Sequence, residues 1–177
     1  MRPPVRLAGQ RMLNNKKNII TVLVLLFVVP LPGYSGQIGT MAPAFSLVDL
    51  NGKVITLEQF KGKVVFLDFW APWCIPCREE LPELDKLNKK FHNEGLEVIG
   101  ISIDASEKNV AAFLKKVPLG VHIVIDKKNE VSDAYRVSSL PTGFIIGRDG
   151  IIQRIHKGFS RESIPIYEKE IDALLKQ

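Results

Sequence analysis

The stretch Val64-Val65-Phe66-Leu67-Asp68-Phe69-Trp70 holds a single charge and mixes β-branched with aromatic side chains. Such a run reads as a strand covered on both faces, and a strand of that kind needs packing layers above and below it. Shortly after it, Cys74-Ile75-Pro76-Cys77 opens a segment where Leu81, Leu84, Leu87 and Phe91 recur at helical spacing until Gly95. A buried strand running into a helix through a Cys-x-x-Cys turn constrains the fold more than any other feature of the chain.

The alternation continues downstream. Residues 96–103 read as a strand, 107–116 as a helix with Val110, Ala111 and Leu114 on one side, 121–125 as a strand and 130–135 as a short helix. Asn51-Gly52 marks a hairpin between 45–49 and 54–57, and Asp149-Gly150 marks another between 143–146 and 151–155. A closing helix is expected over 160–176, with Ser160 as its N-cap and Glu162 and Glu168 exposed. The expected architecture is α/β, a mixed central β-sheet flanked by helices with an N-terminal β-hairpin.

The formal net charge of +5 disappears once it is located. Residues 1–35 contain Arg2, Arg6, Arg11, Lys16 and Lys17 and no acid, so the other residues carry 19 basic and 19 acidic side chains. No nucleic-acid surface follows from that balance. Instead, the basic stretch precedes an apolar run, Ile19 to Val29, followed by Pro30, Pro32, Gly33 and small residues through Gly36. The run is shorter than the roughly 17–25 residues of a spanning helix and fits a signal-peptide core. An uncleaved membrane anchor remains possible if the helix extends through Leu31. Residues 1–35 are therefore expected to be a signal peptide or signal anchor, and 36–177 the folded domain, on the outer side of the cytoplasmic membrane.

The chain has only two cysteines, Cys74 and Cys77. Between a strand and a helix this spacing reads as a redox dithiol, and export makes a disulfide chemically possible. Cys74 stands at the incoming end of the helix, where free N–H groups and the helix dipole stabilise a thiolate. Cys77, one turn on, is placed to resolve a mixed disulfide. A zinc site would need more ligands than His92, His122 and His156 supply at their spacing. A purely structural staple would close too short a loop to add much stability. No metal and no organic cofactor is implied.

Asp68 is the lone carboxylate of the apolar strand. Burial would raise its pKa and make it a proton acceptor near neutrality, whereas a different registry would turn it to solvent or to a lysine. Glu80 lies three residues after Cys77, on the same helical face, and reads equally as an exposed acid beside Glu79 and Glu83. Trp73 directly precedes Cys74 and is expected to wall the cleft, while Trp70 belongs to the core.

The segment Phe69-Trp70-Ala71-Pro72-Trp73-Cys74-Ile75-Pro76-Cys77 resembles the active-site segment of thioredoxins. The wider arrangement resembles the TlpA/ResA-like branch of the thioredoxin-like superfamily over about residues 38–175. The matching features are the N-terminal hairpin, the Gly62-Lys63-Val64-Val65 entry to the first core strand, an inserted strand-helix unit around 96–116, and Asp133-Ala134-Tyr135-Arg136-Val137 leading to Ser139-Leu140-Pro141-Thr142. The resemblance implies a thioredoxin-like fold and a thiol-disulfide oxidoreductase with Cys74 and Cys77 as its redox-active disulfide. It matches Pro141 to the cis-proline facing the dithiol, with Leu140 offering its backbone to an extended substrate. Asp68 matches the buried aspartate of thioredoxins, where many TlpA-branch members have Asn. Glu80 matches a glutamate near the dithiol, and Pro82 the kinking proline of the active-site helix. Gly143 departs from the pattern, standing where Thr or Ser is common.

The implied partners are protein substrates with disulfides or thiols, and a membrane electron donor of the CcdA/DsbD type. The implied direction is reduction, for example in cytochrome c maturation. Three alternatives stay open: a disulfide-donating oxidase, a peroxiredoxin-type peroxidase, and a non-catalytic binding module. The peroxidase expects Thr-x-x-Cys, where this chain has Pro72 and Trp73 before the cysteine.

Overall fold

The computed structural model describes residues 36–177. The expected signal peptide or anchor lies outside the described residues. Among the described residues, no helix is long and apolar enough to cross a membrane.

Seven strands form one sheet: β1 (Ser46–Asp49), β2 (Val54–Thr56), β3 (Val64–Trp70), β4 (Leu96–Ser102), β5 (His122–Ile125), β6 (Thr142–Ile146) and β7 (Ile152–Lys157). Their spatial order is β2-β1-β5-β4-β3-β6-β7. Strands β3, β4 and β5 run parallel, and the two outer hairpins add antiparallel partners at either side. All seven residues of β3 are buried, as a central strand with both faces covered requires.

The helices are α1 (Ile75–Phe91), α2 (Glu107–Lys116), α3 (Glu130–Ala134) and α4 (Ser163–Leu175). Alternation along β3 divides the core. Val64, Phe66 and Trp70 pack with Leu81 and Leu84 of α1, Val110 and Phe113 of α2, and Tyr167 and Ile171 of α4. Val65, Leu67 and Phe69 pack on the opposite face with Phe45, Ile55, Val131 and Tyr135. Helix α1 ends as expected, with Gly95 in the left-handed region at φ 106° closing a short 3-10 turn.

The closing helix starts later than expected. Ser160 does not cap it; α4 begins at Ser163 with Glu162 as the preceding residue. A turn intervenes, in which the Ser163 N–H donates to the Ser160 carbonyl at 3.0 Å. The reason is Pro165. In a helix capped by Ser160, Pro165 would have to donate an N–H to the Arg161 carbonyl, and proline has none. Starting at Ser163 puts Pro165 in the first turn, where no N–H is needed.

Candidate active site

Cys74 and Cys77 form a disulfide with their Cα atoms 5.3 Å apart. Cys74 is the N-cap of α1, and the Cys77 N–H donates to its sulfur at 3.3 Å. The local sequence accounts for this start: Pro76 falls in the first turn, where its missing N–H leaves nothing unpaired. Cys74 keeps 6% of its surface exposed and Cys77 none. Cys74 is thus the more exposed of the two, and its sulfur accepts from an N–H of the first helical turn.

A groove of about 530 Å³ runs beside the disulfide, lined among others by Trp73, Ile75, Pro76, Ile103, Val137 and Leu140. Trp73 and Ile75 stand 64% and 70% exposed at its rim, large apolar surfaces of the kind that mark a binding site rather than a core. The Leu140–Pro141 peptide bond is cis, and the Pro141 carbonyl accepts the Gly158 N–H at 2.9 Å.

Asp68 of β3 and Glu80, three residues after Cys77 on α1, form a buried polar pair. Asp68 and Glu80 expose 0% and 1% of their surfaces. Alternation puts Asp68 on the same face of β3 as Phe66 and Trp70, which pack against α1 beside Cys77. Burial first, and then the charge of Glu80, push the Asp68 carboxyl well above its usual range. Burial lifts Glu80 from 4.5 to about 7, while a hydrogen bond from the Tyr167 hydroxyl at 2.9 Å works in the opposite direction. Among the described residues, neither Asp68 oxygen, nor Glu80 Oε2, nor Trp70 Nε1 has a hydrogen-bond partner. Burial of this kind favours the protonated form, so such acids can take or give a proton at higher pH than exposed carboxylates do.

Residues 38–155 match the model of the AhpC/TSA family. The chain belongs to that family. Within it, the chain is 38% identical over 162 residues to the thiol-disulfide oxidoreductase ResA of Bacillus thuringiensis subsp. konkukian, covering 86% of this chain and 94% of the relative. It is 39% identical over 160 residues to the thioredoxin-like protein YneN of Bacillus subtilis, covering 81% and 91%. Among solved structures, a Chlorobium tepidum protein assigned as the thiol:disulfide interchange protein DsbE superposes with a TM-score of 0.76 at 34% identity, covering 78% of this chain and 98% of that one. This member of the AhpC/TSA family therefore has a thioredoxin-like fold and is a thiol-disulfide oxidoreductase of the TlpA/ResA-like type.

The structure puts Cys74, Cys77 and Glu80 on the first turns of α1, buries Asp68 beside Glu80, and sets Cys74, Trp73 and Leu140 along the groove, with Pro141 joined to Leu140 by the cis bond. Glu80 is not the exposed helix acid that its neighbours Glu79 and Glu83 suggest. Sequence reasoning missed Tyr167, which looks like one more apolar position of the closing helix. It named Gly143 only as a departure and missed that this glycine and Gly100 flank Asp68. Gly100 of β4 and Gly143 of β6 are the cross-strand partners of Asp68. A Cβ on Gly143 would meet the Phe66 ring at 2.8 Å. The departure from Thr or Ser at 143 thus leaves room for that ring.

Proposed function

We propose that the protein works outside the cytoplasmic membrane as a dithiol reductant of protein disulfides, with Cys74 as nucleophile and Cys77 as resolving thiol. The Cys74 thiolate attacks a client disulfide, breaking its S–S bond and forming a mixed disulfide. Cys77 then gives up its proton to the Asp68–Glu80 pair and attacks the Cys74 sulfur. The client leaves with two electrons as two thiolates, one of which takes the proton back from the acid pair, and the Cys74–Cys77 disulfide remains. The observation that carries this reading is the disulfide at the start of α1, with the Cys77 N–H aimed at the Cys74 sulfur.

The groove supports contact with an extended client segment through Trp73 and Leu140, with the cis Leu140–Pro141 bond orienting the Leu140 backbone. Export is supported by the basic and then apolar order of residues 1–35. A reductant in an oxidising compartment needs an electron supply, for which a membrane donor of the CcdA/DsbD type is the natural match, and clients in cytochrome c maturation fit the same direction.

The test is the midpoint potential of the Cys74–Cys77 pair, read by alkylation of free thiols in thiol buffers. A value towards about −270 mV, where thioredoxin lies, supports a reductant. A value towards about −120 mV reverses the direction to oxidation. Trapping of mixed disulfides by C77S, and their loss in C74S, tests the two cysteine roles.

A further inference from the structure

The hydroxyl of a buried tyrosine usually finds a hydrogen-bond partner, and Tyr135 finds a backbone carbonyl, donating to Pro43 at 2.8 Å. Tyr167 does something different. From the last helix of the chain it reaches across to α1 and donates to the carboxyl of Glu80.

Its ring is held from two sides. Phe66 packs against it with centroids 5.1 Å apart, and His156 with centroids 4.6 Å apart. The Phe66 ring can occupy its place because Gly143 has no side chain. His156 is fixed in turn by Glu170 of α4, with Nε2 and Oε2 2.7 Å apart. Glu170 also accepts from Arg154 Nε at 3.2 Å.

We propose that Tyr167 is a positioning residue for proton transfer at the dithiol: clamped between Phe66 and His156, its hydroxyl holds the Glu80 carboxyl inside the protein, so that Glu80 with Asp68 exchanges the protons of the cysteine pair. This rests on the thiol-disulfide reading above. Reducing the disulfide breaks one S–S bond, takes two electrons from a donor dithiol, and takes up two protons, or one if Cys74 remains a thiolate. Reoxidation returns them, and the proton of Cys77 must leave through a buried acceptor. The ionisable groups around Glu80 are Asp68 from β3, Cys77 from its own helix and Tyr167 from α4. Strands β4 and β6 place only Gly100 and Gly143 opposite Asp68. From β7, His156 stands behind the Tyr167 ring with its own partner Glu170.

The experiment is the midpoint potential of the full-length protein followed from pH 5 to 9 in wild type, Y167F, E80Q and the double variant. Proton exchange with the cysteine pair makes the proton affinity of Glu80 differ between the oxidised and reduced forms, and that difference should change the wild-type slope near pH 7, the region to which burial lifts Glu80. Y167F keeps the ring between Phe66 and His156 and removes only the donor. Loss of a hydrogen bond to a carboxylate raises its proton affinity, so the change of slope should move up by about one pH unit, roughly tenfold. E80Q should abolish it, and Y167F should then add nothing. E80D provides the same test without touching the tyrosine: it withdraws the carboxyl from the hydroxyl by one methylene and should also move the change upward. An unmoved change of slope in Y167F or E80D overturns the role of Tyr167, as does a shift of equal size in the E80Q background or a wild-type curve with no change near pH 7. If wild type shows no reversible couple at all, the thiol-disulfide reading itself falls instead.

Discussion

Substituting Glu80 by Gln should make the oxidised protein more stable at pH 8 and flatten its stability between pH 4.5 and 8. Glu80 is 1% exposed, no cation among the described residues is within bonding distance, and its carboxyl is lifted from 4.5 to about 7. Because the folded state holds its proton more tightly than the unfolded chain, stability is highest below about pH 4.5, falls as pH rises towards 7, and carries the full penalty above. At about 1.4 kcal/mol per pH unit, that rise corresponds to about 3 kcal/mol. Gln has the same shape, still accepts from Tyr167 and carries no charge. The stability of E80Q minus that of wild type should therefore grow by about 3 kcal/mol between pH 4.5 and 8. Urea unfolding of the disulfide-intact proteins measures it; with an m-value of about 2 kcal/mol/M, the midpoints should separate by about 1.5 M more at pH 8 than at 4.5. Asp68, also raised and sensitive to the charge of Glu80, changes wild-type stability in the same direction and so cannot reverse the sign. If the two curves run parallel across this range, Glu80 titrates like an exposed acid and the account of the buried pair is wrong.

Other substitutions separate proton handling, packing and recognition. D68N should slow the resolving step by about a hundredfold near neutral pH, a modest effect for loss of a general base, measured as release of a fluorescent client from its mixed disulfide. An unchanged release rate would leave Asp68 no part in deprotonating Cys77. G143S places an atom 2.8 Å from the Phe66 ring and should destabilise the protein by about 1–3 kcal/mol in thermal or urea unfolding, despite restoring the commoner residue type. W73A should leave the melting temperature unchanged, because Trp73 is 64% exposed, and raise KM for a disulfide peptide several-fold. A fall in kcat alone would place Trp73 outside the binding groove.

Residues 64–70 and 74–77 made the centre of the fold legible before any coordinates. A run of apolar, β-branched residues has to be a covered strand, and a Cys-x-x-Cys at its exit has to sit on the first turn of a helix. Both hairpins were legible for a similar reason, since Asn51-Gly52 and Asp149-Gly150 satisfy a local backbone requirement. The start of α4 was misplaced by three residues, because Ser160 is a good cap only if Pro165 is ignored. The surroundings of Glu80 were illegible. Local spacing put it on the face of Cys77 yet left it indistinguishable from its exposed neighbours.

Local sequence alone determined the elements, their order and the position of the dithiol, because each depends on side chains within a few residues of one another. Only the tertiary structure decided which groups face the dithiol. Tyr167 and Glu80 are 87 residues apart in the chain, and Asp68, Gly100 and Gly143 meet only through strand register. Burial and partners are properties of what the rest of the chain packs around a residue. That is why the same glutamate, read from its own helix, could be a solvated surface acid, while in the folded protein it is buried, bonded to Tyr167 and lifted to about 7 by that burial.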